Sequence, residues 1–139
     1  MSAQEASFMG GVEVPPSKSL TDKVAIERCP APDVVYIPLS QHIGAPAKPV
    51  VKPGDKVTIG QVIGEAGGFV STNIHASVSG MVMKLENRYM PNGMISQCVV
   101  IKNDGQDTMC EDIKPRSEEE ITPELIRQVL RDKGIAGMG

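Results

Sequence analysis

Residues 60–80 read GQVIGEAGGFVSTNIHASVSG. Two apolar runs, Val62-Ile63 and Ile74/Ala76/Val78, flank the glycine pair Gly67-Gly68 and Phe69. Ile74, Ala76 and Val78 alternate with His75, Ser77 and Ser79, the period of a strand with one face inside. The glycines between the runs predict a hairpin tip near Gly67-Gly68-Phe69, and Gly80 predicts a turn after the second run.

The preceding segment, AKPVVKPGDKVTIGQVIGEA (47–66), has the same character. Val50-Val51, Val57 to Ile59 and Val62-Ile63 are separated by Pro53-Gly54-Asp55 and Gly60-Gln61. Proline presets φ, glycine accepts φ > 0, and aspartate bonds back to the backbone, so Pro-Gly-Asp predicts a turn. Turns this close predict strands of about three to five residues, as in a small barrel or sandwich. Residues 48–65 and 73–86 form a weak internal repeat, and two such units would share one core. Val34 to Ile37 adds a strand ended by Pro38. Val82 and Leu85 open another through about Glu86, and Gln97 to Lys102 closes the series before the Asn103-Asp104-Gly105 turn.

Outside this core the pattern weakens. Residues 1–12 read as a flexible arm, and prolines 15, 16, 30 and 32 break regular structure, leaving a short strand or turn at Asp22 to Arg28. Residues 106–121 are polar and read as a linker containing the acidic run Glu118-Glu119-Glu120. TPELIRQVLRDKG (122–134) is a helix: Thr122 suits the N-cap, Pro123 the first turn, and Gly134 the stop. Leu125, Ile126, Val129 and Leu130 make its apolar stripe.

Of the 139 residues 40% are hydrophobic but only 3% aromatic, with no Trp, so the core must be Val, Ile, Leu, Met and Ala. A net charge of −3 with no basic cluster argues against a nucleic-acid partner. Cys29, Cys98 and Cys110 show no CxxC spacing, which argues against a zinc ribbon or iron–sulfur cluster and fits a reducing compartment. No secretory signal is visible, and no apolar run reaches the ~20 residues of a membrane helix.

The runs GGVEVPPSKSLT, VYIPLSQHIGAPAKPVVKPGDKVTIGQVIGEAGGFVSTNIHASVSGMV and CVVIKNDG resemble the N-terminal region of the RnfC component of the Rnf electron-transport complex, over about residues 10–139. A more distant likeness runs to biotinyl and lipoyl carrier domains, and to one component of the sodium-pumping NADH:quinone reductase. The resemblance implies a mainly β, barrel-sandwich hybrid fold of short strands with a C-terminal α-helix. It implies an arm at 1–12, the barrel at 13–105, a linker at 106–121, and at 122–139 the helix with the start of a glycine-rich nucleotide-binding loop. GIAGMG (134–139) resembles the opening of that loop, carrying over Gly134, Gly137 and Gly139 as a partial loop. The chain is thus expected to be a truncated, non-catalytic docking domain of a membrane-associated ferredoxin:NAD oxidoreductase that moves ions. Its partners would be the other Rnf subunits and the rest of its own polypeptide, on the cytoplasmic face of the membrane. No cofactor is expected in this portion; the 4Fe-4S clusters and nucleotide or flavin site would belong to the full-length parent.

Carrier domains attach their cofactor to a lysine at the hairpin tip, and no lysine lies between Lys56 and Lys84. Covalent carriage is therefore not expected, and Phe69 stands at the predicted tip as either a core residue or an interface anchor. His42, in a proline-bounded loop, is the second interface candidate. His75 reads as a half-buried strand residue with a satisfied ring nitrogen. HASVSG lacks the nucleophile elbow of a serine hydrolase. The alternative is a stand-alone carrier-like or interaction domain without a redox role.

Overall fold

The computed structural model describes residues 15, 17–113 and 115–137. The predicted arm at 1–12 and Gly139 lie outside that range. The described residues fall into two units, divided between Pro30 and Ala31. In the first, a 3-10 turn at Lys18–Leu20 continues into a turn through Val24, whose amide donates to the Thr21 carbonyl at 3.2 Å. No strand forms at Asp22 to Arg28.

The second unit holds two antiparallel sheets. Strands β1 (Val34–Pro38), β7 (Ile95–Asn103), β6 (Gly80–Tyr89) and β3 (Lys56–Val57) lie in that order in one. Strands β2 (Lys48–Pro49), β4 (Val62–Glu65) and β5 (Ile74–His75) make the other. The repeated halves cross-pair: β3 of the first joins β6 of the second, and β4 joins β5. Both sheets close on one aliphatic core that includes Ile37, Val57, Ile63, Ile74, Val82, Val99 and Ile101. Burying a side chain of this size stabilises by about 1.5–3 kcal/mol, so the core needs no aromatic ring. Among the described residues no methionine joins this cluster, contrary to expectation: Met81 and Met83 flank the inward Val82 on β6 and face solvent.

The β6–β7 hairpin is longer than the predicted strands, at ten and nine residues. Val82 and Leu85 are three residues apart, so a regular strand would send them to opposite faces. A bulge between Val82 and Lys84 restores them, pairing Val82 with Ile101 and Leu85 with Val99. On the outer face, Val100 lies between Tyr36 and Lys84 in the register, and the Arg88 guanidinium stacks 3.8 Å over the Tyr36 ring.

The predicted Pro-Gly-Asp turn forms, with Gly54 at φ +94° and the Asp55 carboxylate accepting the Lys52 amide at 2.9 Å. Ser79, expected on the outer face, is buried. Its hydroxyl donates to Asp104 at 2.6 Å and accepts from the Thr108 amide at 3.1 Å. The beginning of the 106–121 segment is thereby fastened to the barrel, and Met109 forms a parallel bridge with Ile59.

Helix α1 (Pro123–Asp132) follows its sequence signals. The Thr122 hydroxyl accepts the Leu125 amide at 3.2 Å. Gly134, at φ +71°, ends the helix in a Schellman turn, with Ile135 N donating to Leu130 O at 2.9 Å and Gly134 N to Arg131 O at 3.3 Å. Its apolar stripe is only half covered: Leu125 and Val129 are half-buried, while Ile126 and Leu130 are exposed.

Candidate functional site

Three segments converge at one end of the barrel: the loop carrying His42, the tip between β4 and β5, and the turn after α1. The tip falls where the sequence places it. Ser71, buried between loop and tip, donates its hydroxyl to Ala45 O at 2.8 Å and accepts Gly67 N at 3.0 Å. Ala45 N donates to Val70 O at 3.0 Å. The backbones lie so close that a Cβ on Gly67 would stand 2.1 Å from Pro46 O, and one on Gly44 2.1 Å from Val70 O. Gly44 also sits at φ +117°, a conformation left to glycine.

This lacing fixes the main chain yet leaves apolar side chains outside. Phe69 is 96% exposed, Ile43 93% and Val70 59%, so Phe69 is not a core residue. His42 is half-buried and acts as a strut. Its Nε2 accepts the Thr72 amide at 3.2 Å, which places the ring proton on Nδ1, donating to Ile43 O at 3.0 Å. With both nitrogens engaged, His42 offers no lone pair to a metal. Among the described residues no three His, Cys, Asp or Glu side chains group as a metal site.

The turn after α1 docks beside this tip. Asn73 donates to Asp132 O at 3.2 Å while its oxygen accepts Ala66 N at 3.0 Å, tying helix end to tip base. Gly134 abuts β5: a Cβ there would meet Asn73 O at 2.4 Å and His75 Nδ1 at 3.3 Å. His75 is half-buried, as expected, and its Nε2 is buried with no hydrogen-bond partner among the described residues. Thr72 Oγ1 is in the same position. Burial pushes the His75 pKa down, the Lys133 charge adds to this, and the Asp132 main chain opposes it.

Two adjoining clefts result. One, of about 360 Å³, is lined by His42, Thr72, His75, Gly134 and Ala136 among others. The other, of about 440 Å³, lies between Ile43, Val70 and Gly137. The structure thus brings His42, Gly134 and Gly137 to one place, with Phe69 beside them on the tip. Sequence reading missed Ile43, Thr72 and Asn73. Asn73 beside a β-run was the available signal, since a strand-flanking amide commonly bonds main chain.

The fold and this tip define a class: a carrier-type barrel-sandwich hybrid whose tip holds an exposed phenylalanine and no acceptor lysine. Comparison with known families agrees. Residues 6–106 match the RnfC barrel sandwich hybrid domain, and the chain belongs to that family. Its curated relatives are RnfC-type components of ion-translocating complexes. The chain is 41% identical over its whole length to the one from the Na(+)-translocating ferredoxin:NAD(+) oxidoreductase complex of Acetobacterium woodii, covering 32% of that protein. It is 43% identical, over 96% of its length, to the one from the proton-translocating ferredoxin:NAD(+) oxidoreductase complex of Clostridium ljungdahlii, covering 29% of it. The counterpart from the ion-translocating oxidoreductase complex of Rhodobacter capsulatus is 38% identical over 98% of the chain, which covers 27% of it. The chain therefore spans less than a third of the length of these relatives. No helix among the described residues is long and apolar enough to cross a membrane.

Proposed function

We propose that this chain is the barrel-sandwich portion of the RnfC component of an ion-translocating ferredoxin:NAD oxidoreductase complex, and that its task is structural docking. The observation that carries this reading is the tip: a carrier-type hairpin held rigidly by Ser71 and His42, ending in the exposed ring of Phe69. Rigid main chain with an exposed aromatic is the form of an interface anchor, because little conformational freedom is lost on docking.

In this reading the parent supplies the electron-transfer groups, 4Fe-4S clusters and a nucleotide or flavin site. Gly134 and Gly137, with Gly139 beyond the described residues, are the first part of the glycine-rich loop toward that site. The domain sits peripherally on the cytoplasmic side of the membrane, contacting other Rnf subunits and the rest of its own polypeptide. Titrating the purified chain with NADH and with FMN tests the division of labour. No saturable binding is expected, and micromolar binding of either would overturn it. A carrier role would instead appear as a mass increase over 14.8 kDa in protein from the source cell.

A further inference from the structure

We infer that the joined clefts beside the tip are the seat of the polypeptide that continues beyond the glycine turn in the longer RnfC protein. This rests on the reading of the chain as part of such a protein. Two independent observations meet there. The rim is apolar and bare: Ile43 and Val70 are 93 and 59% exposed on backbones whose carbonyls are hydrogen-bonded, and Phe69, next to Val70 on the tip, is 96% exposed. Below the rim, Thr72 Oγ1 and His75 Nε2 are buried without partners among the described residues. An unpaired buried polar group lowers stability, so a partner for these two atoms would be favourable.

A metal does not suit this place, since both His42 nitrogens are occupied and no third ligand converges among the described residues. A purely apolar plug would leave the two polar atoms unpaired. A peptide segment meets both demands once the closed-off Thr72 hydroxyl and His75 ring turn toward it, with main-chain or hydroxyl groups for those two and apolar side chains over Ile43 and Val70. Its source follows from the third wall. Ala136 and Gly137 line the clefts, so the chain leaving α1 already runs along them. Gly137, at φ +86°, has nothing among the described residues within 4 Å of a Cβ position, which leaves the path open on that side. Docking would then fix the barrel's orientation against whatever the next segment builds.

The test compares amide hydrogen exchange in this chain alone and in the native product purified from source cells through a tag at its own gene. Exchange at Ile43, Ala45 and Val70 to Asn73 should be slower in the longer protein by roughly tenfold or more. Ile43→Ser with Phe69→Ser, both on exposed side chains, should remove that protection and leave the barrel amides unchanged. Equal exchange in a longer protein would overturn the inference and spare the reading it rests on. A native product of only 14.8 kDa would overturn both. Protection that appears in the isolated chain as its concentration rises would assign the clefts to a second copy and also overturn the inference.

Discussion

The Asn73 side chain donates to the Asp132 carbonyl at 3.2 Å, joining the last residue of helix α1 to the strand below the tip. Asp132 O is one of the carbonyls that a helix end leaves without an internal partner. Asn73→Ala removes this bond and the one from Ala66, and should loosen the helix by about 1–2 kcal/mol. Asn73→Asp keeps an acceptor for Ala66 but has no donor for Asp132. Exchange across residues 125–135 should accelerate in both variants and at Ala66 in Asn73→Ala alone, with the other barrel amides unaffected.

Stability should depend on pH through His75, whose folded pKa lies below its ordinary value of 6.5 because of burial and Lys133. The unfolded chain then takes up a proton before the folded one does. The contribution is complete above pH 6.5 and declines as pH falls from there toward the folded pKa. Thermal midpoints between pH 7.5 and about 5 should show this decline in the native chain and less of it in His75→Asn. The Asp104 carboxyl is also lowered, chiefly by the Ser79 hydroxyl and the Gln106 amide, so its loss comes only below 3.8 and does not overlap.

Gly67 and Gly68 are neighbours with different tolerances. A Cβ on Gly67 would strike the Pro46 carbonyl oxygen at 2.1 Å, whereas on Gly68 it meets the Ala45 Cβ at 3.3 Å. Main chain is held on both sides of the first contact, so Gly67→Ala should cost about 1–3 kcal/mol. Gly68→Ala should cost clearly less. Denaturant midpoints of the two variants compare them directly.

Stability and docking should separate along one hairpin. Ile63 is fully buried, and Ile63→Ala should lose about 2–5 kcal/mol. Phe69→Ala, on an exposed ring, should stay within about 0.5 kcal/mol of the native chain. The same Phe69 variant should weaken association with the rest of the parent polypeptide or complex, measured by co-purification.

Much of the fold was legible in the sequence, and the reasons are local. Pro53-Gly54-Asp55, the alternation from Ile74 to Val78, and the Thr122–Pro123 start of α1 each express their structure within a few residues. The tip and its missing lysine were readable for the same reason. The β6 bulge was not, because only the spacing of Val82 and Leu85 against Val99 and Ile101 on another strand reveals it. Ser79 was placed outside because its partners, Asp104 and Thr108, lie 25 and 29 residues away. The exposure of Ile43 and the unpartnered Nε2 of His75 likewise depend on segments remote in sequence. The site was legible as separate residues, His42, Phe69 and the glycines, while its assembly by Ser71 and Asn73 required the fold.

If this barrel is a docking part of a larger redox protein, its native form must be larger than the barrel. The most direct measurement is to tag the protein at its own gene, fractionate source cells, and weigh what carries the tag. The predicted result is a membrane-associated species several times heavier than 14.8 kDa that contains iron and co-purifies with other Rnf subunits. A free 14.8 kDa species in the soluble fraction, without iron or partners, would contradict the docking role.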